Sequence, residues 1–219
     1  LMKKQHGNSG WYPGAQGGAA LAKILFGEVS PSGKLPVTFY QSLDTLPAFE
    51  DYSMRGRTYR YLEEKPLYPF GYGLTYGEAR VIKTEFVKQP KRTEDLIIQV
   101  MVENVSAEPF GTFASYIQNN DSSFAPPNPV LCGFAKSDFV ARKKTEVTIT
   151  IPKAAFQVVN QQGEKIWDSS SSTLFIGMGG VDERSQELTG QPVKDADCLV
   201  ENQSSYKLAV SSLVFVGKR

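Results

Sequence analysis

The chain has 219 residues, of which 41% are hydrophobic and 21% are charged, the balance of an ordinary globular protein with a core. The formal net charge is +1 and the basic residues are scattered, which argues against a nucleic-acid partner and against a membrane-attracting face. The longest apolar runs, such as residues 212–216, are far too short to cross a bilayer.

Few residues in the chain suit a metal, a cofactor or a disulfide framework. Cys132 and Cys198 are the only cysteines, and the sequence leaves open whether they form one disulfide or remain two thiols. His6 is the only histidine, so we expect no metal and no cofactor. The short pattern that accepts N-glycans occurs at Asn104, Asn120 and Asn202. The chain opens at Leu1 without a signal-peptide pattern, and its compartment is left open.

Residues 11–40 are typical of a turn, a helix, a second turn and a short strand. The spacing of the apolar residues predicts a helix from about Ala15 to Phe26 with one buried stripe, and Gly27 suits the position just beyond it. A strand is predicted at 35–39. Because one helix and one strand cannot bury a core, we expect this segment to be the tail of an α/β layer whose other elements lie upstream.

Residues 41–77 follow no secondary-structure period. They are crowded with aromatic side chains, namely Phe49, Tyr52, Tyr59, Tyr61, Tyr68, Phe70, Tyr72 and Tyr76. Aromatic residues are scarce in disordered linkers, so the stretch is interpreted as an ordered loop pinned to a neighbouring surface. We expect that surface to belong to an upstream domain, and the loop to be mobile without it.

From about Arg80 onward, apolar and polar residues alternate with a period of two. Strands are predicted at 81–87, 96–102, 113–118, 130–139, 147–151, 173–178 and 207–216. Short alternating strands separated by Gly, Pro and Asn turns, without helical spacing between them, indicate an antiparallel β-sandwich. The fold class is therefore mainly β, an antiparallel sandwich preceded by the tail of an α/β domain.

A series of strings gives the chain a family resemblance. They are WYPGAQGG at 11–18, LFG at 25–27, SPSGKLPVTF at 30–39, DYSMRGRTYRY at 51–61 and PLYPFGYGLTY at 66–76. In this order and spacing they resemble the end of the second domain of family 3 glycoside hydrolases, the β-glucosidase and β-xylosidase group. The β-rich remainder looks like the fibronectin type III-like domain of such enzymes, with LCGFAK at 131–136 and FIG at 175–177 as the matching strings.

Some segments depart from the family pattern. Residues 1–10 lack the apolar strand that leads into the first string, and residues 111–113 lack the usual Gly-x-Glu. The residues after Thr189 match nothing in the family, which leaves room for an added strand. The expected domains are 1–45 for the α/β remnant, 46–79 for an ordered connecting loop and 80–219 for the fibronectin type III-like sandwich.

The resemblance implies a retaining glycosidase built from a barrel, an α/β sandwich and the fibronectin-like module. Retention uses two carboxyl groups about 5–5.5 Å apart. The resemblance implies that the aspartate nucleophile and the glutamate acid/base both lie upstream of the string at 11–18. We therefore expect a C-terminal fragment that lacks the catalytic carboxylates and meets its glycoside substrate through the upstream domains. The alternative is a non-catalytic β-sandwich that binds or supports a partner, and homo-oligomerisation is left open.

The candidate substrate-binding residues are Arg57, Tyr59, Arg60 and Trp11. Guanidinium groups and phenols give sugars fixed hydrogen bonds and a flat apolar face. The competing interpretation, which the sequence favours, is that the loop residues lock the loop against the upstream domain and that Trp11 packs in the core at the start of the helix. The adjacent carboxylates Glu50 and Asp51 point apart on an extended segment, so we expect them to be solvated rather than catalytic.

Overall fold

A computed structural model describes residues 10–87, 94–107, 112–169, 171–189, 197–199 and 205–210. The helices are α1 (Gly17–Leu25), α2 (Thr58–Tyr61) and α3 (Glu183–Thr189). The strands are β1 (Ala79–Phe86), β2 (Leu96–Asn104), β3 (Phe113–Asn119), β4 (Val130–Ala135), β5 (Lys144–Ile151), β6 (Val158–Val159), β7 (Lys165–Ile166), β8 (Ser171–Gly177), β9 (Asp197–Leu199) and β10 (Ser205–Val210). Single 3-10 turns occupy Leu43–Thr45 and Lys153–Phe156.

Two sheets face each other to form the β-sandwich. One sheet has the order β1-β2-β5, the other has the order β4-β3-β8-β10-β9, and β6 and β7 form a separate hairpin. The inward side chains of β2 alternate with outward ones, which buries Leu96, Ile98, Val100 and Val102. They pack with residues of β5 and β8, such as Ile149 and Leu174, into one core. The mainly β fold predicted from the alternation is therefore confirmed.

The strands predicted after Arg80 are all present, with small shifts at their ends. The largest shift is at β4, which ends at Ala135 rather than Phe139. Phe139 turns into the core, where it is fully buried, and its carbonyl accepts a hydrogen bond of 2.8 Å from the Asn104 side chain. A side-chain contact with Asn104, 35 residues away in sequence, therefore replaces the last part of the predicted ladder. Residues 211–216 of the last predicted strand lie outside the described residues.

The segment after β8 contains features that the sequence did not predict. α3 interrupts what was expected to be a purely β region, and β10 then pairs with β8 in parallel rather than antiparallel. A parallel pair requires a crossover connection, and α3 with β9 lies on that connection. β9 and β10 are the added strands for which the sequence after Thr189 allowed.

The helix α1 forms close to its predicted bounds, and Gly27 has the left-handed φ of +77° expected beyond a helix end. The buried stripe, however, is wrong for the described chain. Leu21, Leu25 and Phe26 are 42%, 61% and 84% exposed. No described element covers this face of α1, so its apolar side chains face outward.

The strand predicted at 35–39 is also wrong as a regular strand. It is reduced to an isolated bridge between Phe39 and Tyr68, with further hydrogen bonds from Leu35 to Tyr72 and from Gly71 to Leu35. The segment 66–72 that faces it is irregular and rich in Pro and Gly, so it cannot offer a continuous ladder of donors and acceptors.

The fold bears on two questions that the sequence left open, namely whether the cysteines pair and whether the glycan-acceptor patterns are accessible. Cys132 carries a free thiol whose pKa burial raises to about 11. It lies in β4, while Cys198 lies in β9 at the opposite edge of the same sheet, four strand spacings or about 19 Å away. A disulfide needs Cα atoms within about 7 Å, so these two cysteines do not pair within the chain. Asn104 is fully buried and cannot carry a glycan in the folded chain, and Asn202 lies outside the described residues.

Within the described residues, none of the helices has the length and apolar character needed to span a bilayer.

Candidate substrate-facing loop and its clamp on the sandwich

The candidate residues Arg57, Tyr59 and Arg60 lie in one tight turn, which we call the tyrosine–arginine loop (residues 51–62). α2 is a single helical turn within it, entered through Gly56 at φ +69° and Thr58 at φ +54°. A left-handed backbone at a β-branched residue costs on the order of 1–3 kcal/mol and persists only where surrounding contacts fix it. The loop is therefore strained and must be held by its neighbours.

Arg57 holds the first half of the loop. Its guanidinium donates hydrogen bonds to the backbone carbonyls of Ala48 at 3.0 Å, Asp51 at 2.6 Å and Ser53 at 3.2 Å. These contacts consume Nε and one terminal nitrogen. The geometry is that of an anchor within the segment 48–57, whereas the sequence favoured an anchor against the upstream domain.

Tyr59 faces the sandwich. Its ring stacks on Phe70 with the centroids 4.0 Å apart and the planes 10° apart, and its hydroxyl accepts a 3.1 Å hydrogen bond from the backbone amide of Leu131 in β4. Arg60 remains exposed, and its guanidinium carbon lies 5.9 Å from the Tyr59 ring centroid, within cation–π range. Of the three loop candidates, Arg60 is the one that offers its charged group to solvent.

Trp11 is placed differently from its expected position. It lies before α1 with φ +48° and is 55% exposed, so in the described chain it is not part of a core. The structure thus brings together the three loop candidates and leaves Trp11 as an exposed ring in a separate segment.

Sequence reasoning missed Asn128, which lies in the loop between β3 and β4. Its side-chain amide donates to the carbonyls of Tyr59 at 2.9 Å and Leu62 at 2.8 Å, and its backbone amide donates to the carbonyl of Arg60 at 3.2 Å. The surface that holds residues 59–62 is therefore the sandwich of this same chain. The expectation that an upstream domain supplies it is wrong for this part of the loop, although Phe49 and Tyr52 are 88% and 90% exposed as expected.

A cavity of about 360 Å³ opens between the end of this loop and the sandwich. It is lined by residues 62–66, 128–129 and 180–184 together with Thr38, Tyr59, Pro69, Phe70 and Tyr116. Burial raises the pKa of the Tyr116 phenol, which stays a neutral hydrogen-bonding group. The Thr38 hydroxyl oxygen beside this space is buried and has no hydrogen-bond partner in the protein. Aromatic and polar groups around a concave space suit a small polar ligand or ordered water.

The carboxyl groups with displaced pKa values near the loop are unsuited to general-acid catalysis. The Ser53 backbone amide, 2.8 Å from the Asp51 carboxylate, lowers the pKa of Asp51. The Lys65 ammonium and then the Arg184 guanidinium lower the pKa of Glu187. A glycosidase acid requires the opposite displacement, toward a raised pKa.

The comparison with known families then assigns the two halves of the chain. Residues 9–76 match the glycosyl hydrolase family 3 C-terminal domain, and residues 113–179 match the fibronectin type III-like domain. The chain corresponds to the C-terminal portion of family 3 glycoside hydrolases. The tyrosine–arginine loop lies within the family 3 match, whereas Asn128 lies within the fibronectin-like match.

Curated relatives agree with this assignment. The chain is 37% identical over 172 residues to a xylan 1,4-β-xylosidase of Xylanibacter ruminicola, with 75% of this chain and 18% of the relative covered. It is 31% identical over 183 residues to a periplasmic β-glucosidase of Salmonella typhimurium, with 77% and 24% covered. The chain thus spans about a fifth of the length of the curated relatives it matches.

A solved structure shows the same relation. The family 3 β-glucosidase of Bifidobacterium adolescentis superimposes with a TM-score of 0.67 at 27% identity, with 80% of this chain and 28% of that chain covered. This chain therefore shares the fold of that enzyme over 28% of the enzyme's length.

Proposed function

We propose that this chain works as the C-terminal portion of a retaining family 3 β-glycosidase that hydrolyses β-glucosides or β-xylosides. In this proposal the nucleophile and the acid/base come from the rest of the enzyme, and residues 1–79 complete the second domain and its connecting loop. Residues 80–219 form the fibronectin type III-like sandwich, and residues 1–45 and 46–79 are the α/β remnant and the connecting loop.

The observation that carries the proposal is the unequal distribution of exposed apolar side chains. Before Ala79, exposed large apolar residues are dense, and the most exposed are Tyr12 at 100%, Tyr52 at 90%, Phe49 at 88%, Phe26 at 84% and Leu43 at 83%. Soluble proteins that act alone rarely display so much apolar surface in one segment. The same segment carries the family 3 match, so the rest of a family 3 enzyme is the partner that fits it.

The substrate class follows from the relatives. Their names describe a β-xylosidase and a β-glucosidase, and they match 75% and 77% of this chain. Arg60 is an exposed hydrogen-bond donor of the tyrosine–arginine loop, and a guanidinium can bridge two hydroxyl groups of a pyranose. We therefore assign the loop to the wall beside the sugar, with Arg57 and Tyr59 holding that wall and Trp11 as a further exposed ring.

A chimera tests the proposal. This chain replaces the matching C-terminal portion of the Xylanibacter ruminicola xylosidase, and three proteins are assayed on nitrophenyl β-xyloside and β-glucoside. They are the chimera, the relative truncated before the exchanged portion, and this chain alone. We expect turnover by the chimera and none by the other two. Turnover by repurified chain alone would contradict the proposal.

The rival function, a non-catalytic binding or structural module, has one observation in its favour. The buried apolar core of the described residues lies entirely at or after Ala79, so the sandwich is built to fold without the preceding segment. If the chimera is no more active than the truncated enzyme while the isolated chain is folded and monomeric, the module interpretation is favoured.

A further inference from the structure

The carbonyl groups at the end of α2 are satisfied by another domain of the chain. The last carbonyls of any helix lack partners within the helix, and a helix of one turn is too short to be stable by itself. The carbonyls of Tyr59 and Arg60 in α2, and that of Leu62 just after it, accept hydrogen bonds at 2.9, 3.2 and 2.8 Å. All three come from Asn128, which thereby acts as a C-terminal cap supplied by the sandwich.

The cap is held rigidly. Asn128 stands between Pro127 and Pro129, whose rings fix φ near −65°, so its backbone has few alternatives. The side-chain amide of Gln118 in β3 donates to the carbonyl of Pro126 at 3.2 Å and ties this segment to the sheet. The donors of Asn128 are therefore preorganised before they meet α2.

A second contact acts in the same direction. The amide of Leu131 in β4 donates to the Tyr59 hydroxyl at 3.1 Å, and the Tyr59 ring lies on Phe70. The helix α2 begins with the strained backbone of Thr58, and strain of this kind is kept where a function needs it. Asn128 and Leu131 together determine the conformation in which Arg60 is presented.

We propose that Asn128 is a positioning residue, which fixes the tyrosine–arginine loop from the fibronectin-like sandwich and thereby sets how tightly the enzyme holds its glycoside. The inference rests on the proposed function. Asn128 does not contact the substrate; its amide and backbone nitrogen hold α2, and α2 presents Arg60. The sandwich is in this way a working part of the sugar-binding wall rather than an accessory support.

Hydrogen exchange on the isolated chain tests the clamp directly. The amide of Leu62, bonded to the Thr58 carbonyl at 3.0 Å, and the amide of Gly56, bonded to the Tyr61 carbonyl at 3.0 Å, report on the integrity of the turn. We expect Asn128→Ala to speed exchange at both by about tenfold or more, because the loop loses the donors that hold it. Asn128→Asp should act at least as strongly, since an isosteric carboxylate then faces the carbonyl oxygens of Tyr59 and Leu62.

A control variant in the same β3–β4 connection is Asn120→Ala. Asn120 donates to the Ser171 hydroxyl and not to α2, so its loss should leave exchange at Gly56 and Leu62 unchanged. Slow exchange of the β2 and β5 amides in every variant will show that the sandwich remains folded. If Asn128→Ala leaves the two loop amides as slow as in the wild type, the clamp does not exist and the inference is overturned.

Kinetics of the active chimera then separate positioning from mere support. We expect Asn128→Ala to raise KM by about tenfold with a smaller change in kcat, because the misplaced wall weakens sugar binding while the carboxylates lie elsewhere. Faster exchange with an unchanged KM would overturn the positioning role and leave only a structural clamp. An inactive wild-type chimera would count against the proposed function, while the exchange experiment would still decide whether the clamp is real.

Discussion

The two regions of this chain differ in whether their large apolar side chains are buried. From Ala79 onward, side chains such as Ile98, Ile149 and Leu174 are completely buried between two sheets. Before Ala79, comparable side chains such as Phe26 and Phe49 are more than four-fifths exposed. Local sequence patterns are equally apolar in both regions, so the difference lies in whether the covering elements belong to the same segment. A sheet pair closes on itself, whereas one helix and a loop do not.

The first test of this comparison truncates one large apolar side chain in each region. We expect Ile98→Ala in β2 to lower the free energy of unfolding by about 3 kcal/mol, because it leaves a cavity in a closed core. Leu25→Ala on the exposed face of α1 should change it by less than about 0.5 kcal/mol. Urea unfolding of both variants measures the difference. Equal losses of unfolding free energy would mean that Leu25 of α1 is packed in a core, contrary to the comparison.

The contact between the regions can be tested at Gly71. Its φ is +79°, and a Cβ added there would lie 2.3 Å from the hydroxyl of Tyr116 in the sandwich. We expect Gly71→Ala to cost about 2 kcal/mol, since both the backbone and the phenol must shift. Gly27→Ala is the matched control, because φ is similar at +77° but the added Cβ meets open space. Thermal unfolding should give a clearly larger loss for Gly71→Ala than for its control, and similar losses would show that the Tyr116 contact is loose.

Self-association of the isolated chain sharpens the comparison at the surface. Phe49 is 88% exposed in the first region and Phe134 is 72% exposed on β4 of the sandwich. If the chain self-associates through the exposed apolar side chains of the first region, Phe49→Ser should raise the dissociation constant of the oligomer by about tenfold. This change corresponds to the free energy of partly burying one aromatic ring. Phe134→Ser should leave it nearly unchanged. Sedimentation velocity over a concentration series measures both, and the opposite ranking would place the self-associating surface on the sandwich.

The smallest expected effect concerns pH and Lys34. Its ammonium donates to the Gly73 carbonyl, yet desolvation lowers its pKa to about 7. The folded chain therefore binds this proton less readily than the unfolded chain. Burial of the charged Lys34 lowers the free energy of unfolding fully below pH 7, and this loss disappears as the pH rises toward the pKa of lysine in the unfolded chain. Relative to Lys34→Met, the wild type should gain about 1 kcal/mol of stability between pH 7 and pH 8. Parallel pH dependence of the two proteins would show that the Lys34 pKa is not lowered.

The sequence was sufficient for most of the fold. Alternation with a period of two determines which face of a strand is buried, so β2 and β5 could be assigned from their residues alone. The parallel pairing of β10 with β8 could not be assigned, because it depends on a crossover that leaves no periodic signal. The exposure of the α1 stripe was equally beyond a local pattern, since an amphipathic helix has the same sequence whether or not its partner is present.

The candidate site was predicted in part. The strings of the tyrosine–arginine loop identified Arg57, Tyr59 and Arg60 as a group, because rings and guanidinium groups without a structural period are unusual. Asn128 was missed, since a hydrogen-bonding partner nearly seventy residues away leaves no mark on the loop sequence. The only available signal was the Pro-Pro-Asn-Pro run at 126–129, a rigid loop that places one amide side chain.

The central claim is that the first region of the chain is a surface made to be covered by the rest of a family 3 enzyme. Hydrogen exchange of α1, compared between the isolated chain and the active chimera, tests it most directly. The account predicts that the α1 amides exchange quickly in the isolated chain and at least about a hundredfold more slowly in the chimera, while amides of β2 and β5 are unchanged. Equal exchange of α1 in both proteins would contradict it.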